Sequence, residues 1–202
     1  MKKKLLILLI IILCSSNNKF CNNKIEAKIT NSSIKDSCEV EIELSNNTSK
    51  NYFLQIDISK LREPIRFFRS EYLHNADLKL LDSNKQQVDY RIVDYECYNN
   101  DNEKLYKASR SVKNVLKLKS GEKKIFKMQF LLKNEINGYC MYEYPIENFI
   151  KKNKYFVVFQ YKMYSETDKE ILSKSVKDSL KEAGFEFYDK EIMSNSIPFM
   201  IR

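Results

Sequence analysis

"CEVEIELSNNTSKNYFLQIDI" (38–58) decides the fold. Its first seven residues alternate without a break, with Val40, Ile42 and Leu44 on one side of an extended chain and Glu39, Glu41 and Glu43 on the other. Side chains of a strand point to opposite faces in turn, so the pattern predicts a strand with one buried face and one wet face. The polar run "NNTSKN" (46–51) turns the chain, and Leu54, Ile56 and Ile58 then resume the alternation. A sheet with one dry face needs a second layer to cover it.

Working outward, the same reading marks 25–30 as the first strand. Strands at 78–82 and 88–97 flank the turn "SNKQQ" (83–87), and the apolar phase slips between Ile92 and Val93, as at a bulge. "VLKLKSGEKKIFKMQFLL" (115–132) gives two strands about Gly121, with Phe126, Met128, Phe130 and Leu132 on one face. "YFVVFQYKMY" (155–164) is the run richest in β-branched and aromatic residues. "SIPFMIR" (196–202) reads as an edge strand, because Pro198 has no N–H for a central ladder. One segment, 168–183, breaks the pattern: Ile171, Leu172, Val176, Leu180 and Ala183 recur at helical spacing, Thr167 and Glu170 form a capping box, and Gly184 supplies a stop. The expected fold is mainly β, an antiparallel sandwich of about eight or nine strands with one C-terminal surface helix. Val40, Ile42, Leu44, Leu54, Ile56, Phe126, Met128, Phe130, Val157 and Phe159 are expected in one core.

The N-terminus is of another kind. Lys2, Lys3 and Lys4 precede an unbroken apolar run from Leu5 to Leu13, and Ser15, Ser16, Asn17 and Asn18 follow at once. The run is about half the roughly 20 residues of a spanning helix but suits the apolar region of a secretory leader. Ile11-Ile12-Leu13-Cys14 resembles a bacterial lipoprotein signal, which implies lipidation of Cys14 and a membrane anchor; Leu13 departs from the small residue usual there. Cleavage after Ser16, giving a secreted or periplasmic chain, is the alternative. The expected organisation is a leader at 1–16, a tether at 17–24 and a single domain at 25–202 in the cell envelope.

Apolar residues make up 43% and aromatics 12% of the chain, which excludes disorder as its overall state. The net charge of +8 falls to +5 without the three leader lysines, and the remaining lysines are interleaved with acids. A nucleic-acid partner calls for a basic stripe, so none is expected. Five cysteines leave Cys21, Cys38, Cys97 and Cys140 if Cys14 carries lipid. Four cysteines in an oxidising compartment permit three pairings. Cys97 and Cys140 end predicted strands and are expected to pair, with Cys21–Cys38 as the complement.

Catalytic motifs are faint. His74 is the only histidine and stands in "SEYLHNADL" (70–78), with neither HExxH nor GxSxG elsewhere. Three glycines form no phosphate-cradling loop. Asp94 with Glu96, and Glu143 with Glu147, are the carboxylate pairs a hydrolase would need, but such pairs are ordinary on an acid-rich surface. "NNDNE" (99–103) lacks the glycine and terminal Glu spacing of a calcium loop. No enzyme, cofactor or metal is expected.

Three segments exceed simple turns: 60–76, 98–114 and 133–154. The first mixes Arg62, Arg66 and Arg69 with Phe67 and Phe68, and the third carries Tyr142 and Tyr144. Arginine with aromatics is the composition of contact sites, so these seven residues are the candidate binding patch. The competing reading folds the aromatics back as plugs over the open ends of the sandwich. The order "LLDSN", "LKLKSGEKKIF", "YFVVFQY", "SNSIPF" resembles immunoglobulin-like domains of bacterial envelope proteins of uncharacterised role. That resemblance implies a non-catalytic binding or structural module, with an envelope protein or glycan as partner. An inhibitor-like module acting through a loop on a protease, and a carboxylate hydrolase, are the alternatives.

Overall fold

The computed structural model describes residues 24–57, 75–89, 91–92, 115–136, 140–144, 154–163 and 172–200. The alternating stretch forms β2 (Cys38–Asn46), flanked by β1 (Ile25–Ile29) and β7 (Lys123–Phe130) in an antiparallel sheet of order β1-β2-β7. Val40, Ile42 and Leu44 are fully buried, as the period of two requires. On the opposite face Glu43 faces Lys28 and Ile125, and Glu41 faces Lys127. Lys123 bridges to Glu43 at 2.8 Å, Lys127 bridges to Glu39 at 3.0 Å, and the Thr30 hydroxyl donates to Glu41 at 2.7 Å. This face is a solvated lattice of opposite charges, the ordinary wet side of an antiparallel sheet.

A second sheet centres on β10 (Tyr155–Tyr161), which pairs along its length with β4 (Ala76–Leu81). Its other edge takes β13 (Ile197–Phe199) and β12 (Ile192–Met193), end to end. Every β10 residue except Phe156 is buried, so this strand lies inside the fold on both faces. A third sheet, β11-β3-β6, joins β3 (Tyr52–Asp57), β6 (Val115–Leu118) and β11 (Glu186–Phe187), and a small fourth, β5-β9-β8, joins β5 (Arg91–Ile92), β8 (Lys133–Ile136) and β9 (Cys140–Glu143). Val40, Ile42, Leu44, Phe126, Met128 and Phe130 of the first sheet share one core with Val157 and Phe159 of the second and Leu54 and Ile56 of the third. All the expected core positions are therefore in it. Phe126 meets Phe159 edge to face across two sheets, with ring centroids 5.8 Å apart.

Asn46 turns the corner between the first and third sheets. β2 runs into β3, and β6 into β7, so two neighbouring chain segments change sheets together at this point. The Asn46 side chain is almost wholly buried and donates to the carbonyls of Lys50, Leu118 and Lys119 at 2.8, 3.1 and 2.9 Å, while accepting from Thr48. Gly121 turns beside it at φ +71°, the left-handed region a glycine adopts without strain, and its N–H donates to the Asn46 carbonyl.

The structure corrects the expected fold in three places. Thirteen short strands occur among the described residues, because 123–130, 133–136 and 140–143 split across sheets and the C-terminal segment breaks into β12 and β13. The sheets are not purely antiparallel: β11 returns from the helix to lie parallel to β3. The helix, α1 (Lys174–Glu182), starts later than expected, capped by the Ser173 hydroxyl accepting from Val176 N–H. Thr167, Glu170 and Ile171 lie outside the described residues. Gly184 ends the helix as expected, at φ +80°. Val176 and Leu180 of α1 pack with Leu172 on Phe53 and Val115, covering the face of the third sheet turned away from the main core.

Candidate functional site

A recess among the described residues runs beside β1, an edge strand. Thr30 N–H donates to the Glu41 carbonyl and Asn47 N–H to the Lys24 carbonyl, so the even-numbered residues of β1 turn their peptide groups towards β2. In an antiparallel ladder the alternate residues then turn theirs away. At Ile29 those outward groups meet a side chain: the Asn195 carboxamide oxygen accepts from Ile29 N–H at 2.8 Å, and its nitrogen donates to the Ile29 carbonyl at 3.2 Å. One carboxamide thus occupies the place of a neighbouring strand's peptide unit. Asn31 makes a wider bridge on β2, accepting from Glu41 N–H at 2.8 Å and donating to the Glu39 carbonyl at 3.2 Å.

At the other end of β1, Ile25 N–H faces the Tyr188 hydroxyl and partly offsets the effect of burial, which raises that phenol's pKa. Between the two capped ends lies Ala27. Among the described residues its outward N–H and carbonyl have no hydrogen-bond partner. An open groove of ≈ 660 Å³ runs alongside, with Lys28, Glu43 and Lys123 on the sheet side and Glu191, Met193 and Asn195 on the β12 side. Met193 is 55% exposed there. The Lys123 ammonium, hydrogen-bonded to Glu43, holds that carboxyl below the ordinary range. Glu191 accepts from the Gln160 amide at 2.5 Å, and Glu26 from Asn47 at 2.9 Å. Among the described residues no three His, Cys, Asp or Glu side chains are placed to hold a metal ion. The groove can offer peptide hydrogen bonds, ion pairs and one apolar contact.

Most of the residues singled out from the sequence lie elsewhere. Cys14, Cys21, Arg62, Arg66, Phe67, Phe68, Arg69, His74 and Cys97 fall outside the described residues. Cys38 has a free thiol, half-buried opposite Phe130 on β7. Cys140 begins β9 opposite Ile136, and Tyr142 stands on β9 between Asn134 and Ile92. Tyr144 is half-buried and stacked on Phe130 with ring centroids 6.3 Å apart, and its N–H donates to the Leu132 carbonyl at 2.8 Å. It therefore sits against the core. The sequence reading missed Ala27, Asn31 and Asn195. Their signal was slight: a polar "SNS" (194–196) interrupting an otherwise apolar strand run.

Compared with known protein families, curated proteins and solved structures, the chain matches none.

Proposed function

We propose that this chain is an exported, membrane-tethered lipoprotein whose immunoglobulin-like β-sandwich is a non-catalytic binding module for an envelope protein or glycan. The reading joins two features. Cys14 follows directly on the apolar run Leu5–Leu13, and β1 begins at Ile25, directly behind the Asn-rich tether. The Phe126–Phe159 contact, which packs one sheet against another over a shared core, carries the sandwich part of the reading. A rigid layered core is the kind of scaffold on which loops carry binding residues. The contact patch of the proposed module is Arg62, Arg66, Phe67, Phe68 and Arg69, with Tyr142 and Tyr144 beside them.

Fractionation with mass spectrometry of the mature N-terminus tests the anchor. The expected result is a lipid-modified Cys14, partition with membranes, and release or blocked processing in Cys14→Ser. An unmodified N-terminus at Asn17 would refute the anchor. The patch is tested by capture from envelope extract: a partner retained by the wild-type chain is lost with Arg66→Ala or Phe68→Ala. Equal retention by these variants refutes the patch.

A further inference from the structure

The edge of β1, open at Ala27 between its two caps, has a sequence that fits a second copy of itself. We propose that the edge is a homodimer interface, gated by the Asn195 carboxamide, in which β1 pairs antiparallel with β1 of a second copy about a twofold axis at Ala27. The open peptide unit sets the register. Ala27 is the one position on this edge whose outward N–H and carbonyl have no partner among the described residues, and two copies facing each other there exchange both hydrogen bonds. Isologous pairing then fixes every other contact. Ile25 falls opposite Ile29 of the second copy, and Glu26 falls opposite Lys28 of the second copy.

Like charges directly opposite each other in such a pairing would be destabilising. "IEAKI" (25–29) avoids this because its two charges change sign across the central alanine. Both ion pairs lie on the outer face, where Glu26 and Lys28 already project. Lys28 makes no salt bridge among the described residues and acts on Glu43 only at longer range, while Glu26 holds Lys24 in an exposed bridge at 3.5 Å, the weak kind that a partner's ammonium can replace. The paired edges would make one continuous sheet of order β7-β2-β1-β1-β2-β7.

Asn195 decides how much of this edge is available. While its carboxamide holds Ile29, only the Ala27 exchange can form. When it swings away, and the Ile29 carbonyl of the second copy takes Ile25 N–H from the Tyr188 hydroxyl, the Ile25 and Ile29 pairs join, tripling the ladder. The side chain acts as an edge guard, the role that charges, prolines and bulges play on other edge strands.

Sedimentation velocity on the full chain in mild detergent tests the proposal, with urea unfolding to verify each variant's fold. Asn195→Ala is expected to lower the monomer–dimer midpoint concentration roughly tenfold or more, as a ladder is gained. Ala27→Pro in that background should abolish the dimer without touching the β1–β2 ladder, since the N–H it removes faces away from β2. Glu26→Lys should abolish it too, and adding Lys28→Glu should restore it. The proposal is overturned if folded Asn195→Ala stays monomeric, or dimerises equally well with Ala27→Pro or Glu26→Lys. Should Asn195→Ala not fold, the wild-type chain is compared with Ala27→Pro at the highest soluble concentration. Association lost with the proline supports the interface; wild-type association that survives it, or no wild-type association, overturns it.

Discussion

Tyr161→Phe probes a hydroxyl inserted into a sheet. Tyr188 N–H donates to the Phe53 carbonyl at 3.0 Å in the parallel β3–β11 register, so the next ladder bond would run from Gln55 N–H to the Tyr188 carbonyl. On its other side β3 is irregular: its pairing with β6 shifts between Leu54 and Asp57. The Tyr161 hydroxyl closes the gap, accepting from Gln55 N–H at 3.3 Å and donating to the Tyr188 carbonyl at 2.9 Å. Tyr161 and Gln55 are both 0% exposed. Phenylalanine would leave a buried donor and a buried acceptor without this bridge, at about 1–3 kcal/mol each. The bond from Gln55 is long and so at the low end of that range, which puts the total near 2–3 kcal/mol at neutral pH. Urea unfolding should show a lower midpoint with an unchanged slope. A pH series adds a second arm. Burial raises the Tyr161 phenol above its ordinary value, so the folded state keeps a proton that the unfolded chain releases above about pH 10. The stability tied to that proton is complete below pH 10 and declines as pH rises towards the folded pKa. The wild-type advantage over Tyr161→Phe should therefore shrink by about 1.4 kcal/mol per pH unit above 10, nearing zero around pH 12. A difference below about 0.5 kcal/mol at pH 7, within the usual range for surface changes, would refute the bridge. A large difference that ignores pH would refute the buried phenol.

Phe130, 2% exposed and in contact with the rings of Tyr144 and Phe199, should cost about 3–5 kcal/mol when cut to alanine, measured by denaturant unfolding; a loss under about 1.5 kcal/mol would mean the site collapses to fill the cavity. Asn46→Ala should cost about 2–4 kcal/mol by leaving buried carbonyls at the corner unpaired. Asn46→Asp should cost at least as much at neutral pH, because a carboxylate would face three carbonyl oxygens; equal stability of Asp and Asn would remove the corner from the account.

How much was legible depended on whether a periodicity was present. In β2 each side chain's choice of face follows from a period of two, so Val40 and Glu41 could be assigned to opposite sides from the sequence. The same rule placed Leu54 and Ile56 in the main core. It gave no hint that Phe53 would be buried as well, because the layer that covers it, α1, comes more than a hundred residues later. Period says nothing about which strand is a neighbour, so the change of sheets at Asn46 was invisible: a buried asparagine and one in a solvated turn look alike in "SNNTS". The same ambiguity hid Asn195. Side-chain mimicry of a peptide group depends on a partner 166 positions away, and the asparagines are too many in this chain for any one to stand out. The helix start was ambiguous for a local reason, since Thr167–Glu170 and Ser173 both offer capping chemistry in the sequence; α1 begins at the Ser173 cap.

The Asn195–Ile29 closure also fixes an order of events on the ribosome. β1 is among the first parts of the fold to emerge, and the side chain that guards its edge follows 166 residues later. At a synthesis rate of about 5–20 residues per second, that edge waits roughly ten to thirty seconds for its guard. During that interval neighbouring nascent chains on one message would present the same self-matching strand to each other. Any factor that holds the chain extended until its C-terminus is released would remove that hazard, and slowed synthesis near the end of the message would lengthen it.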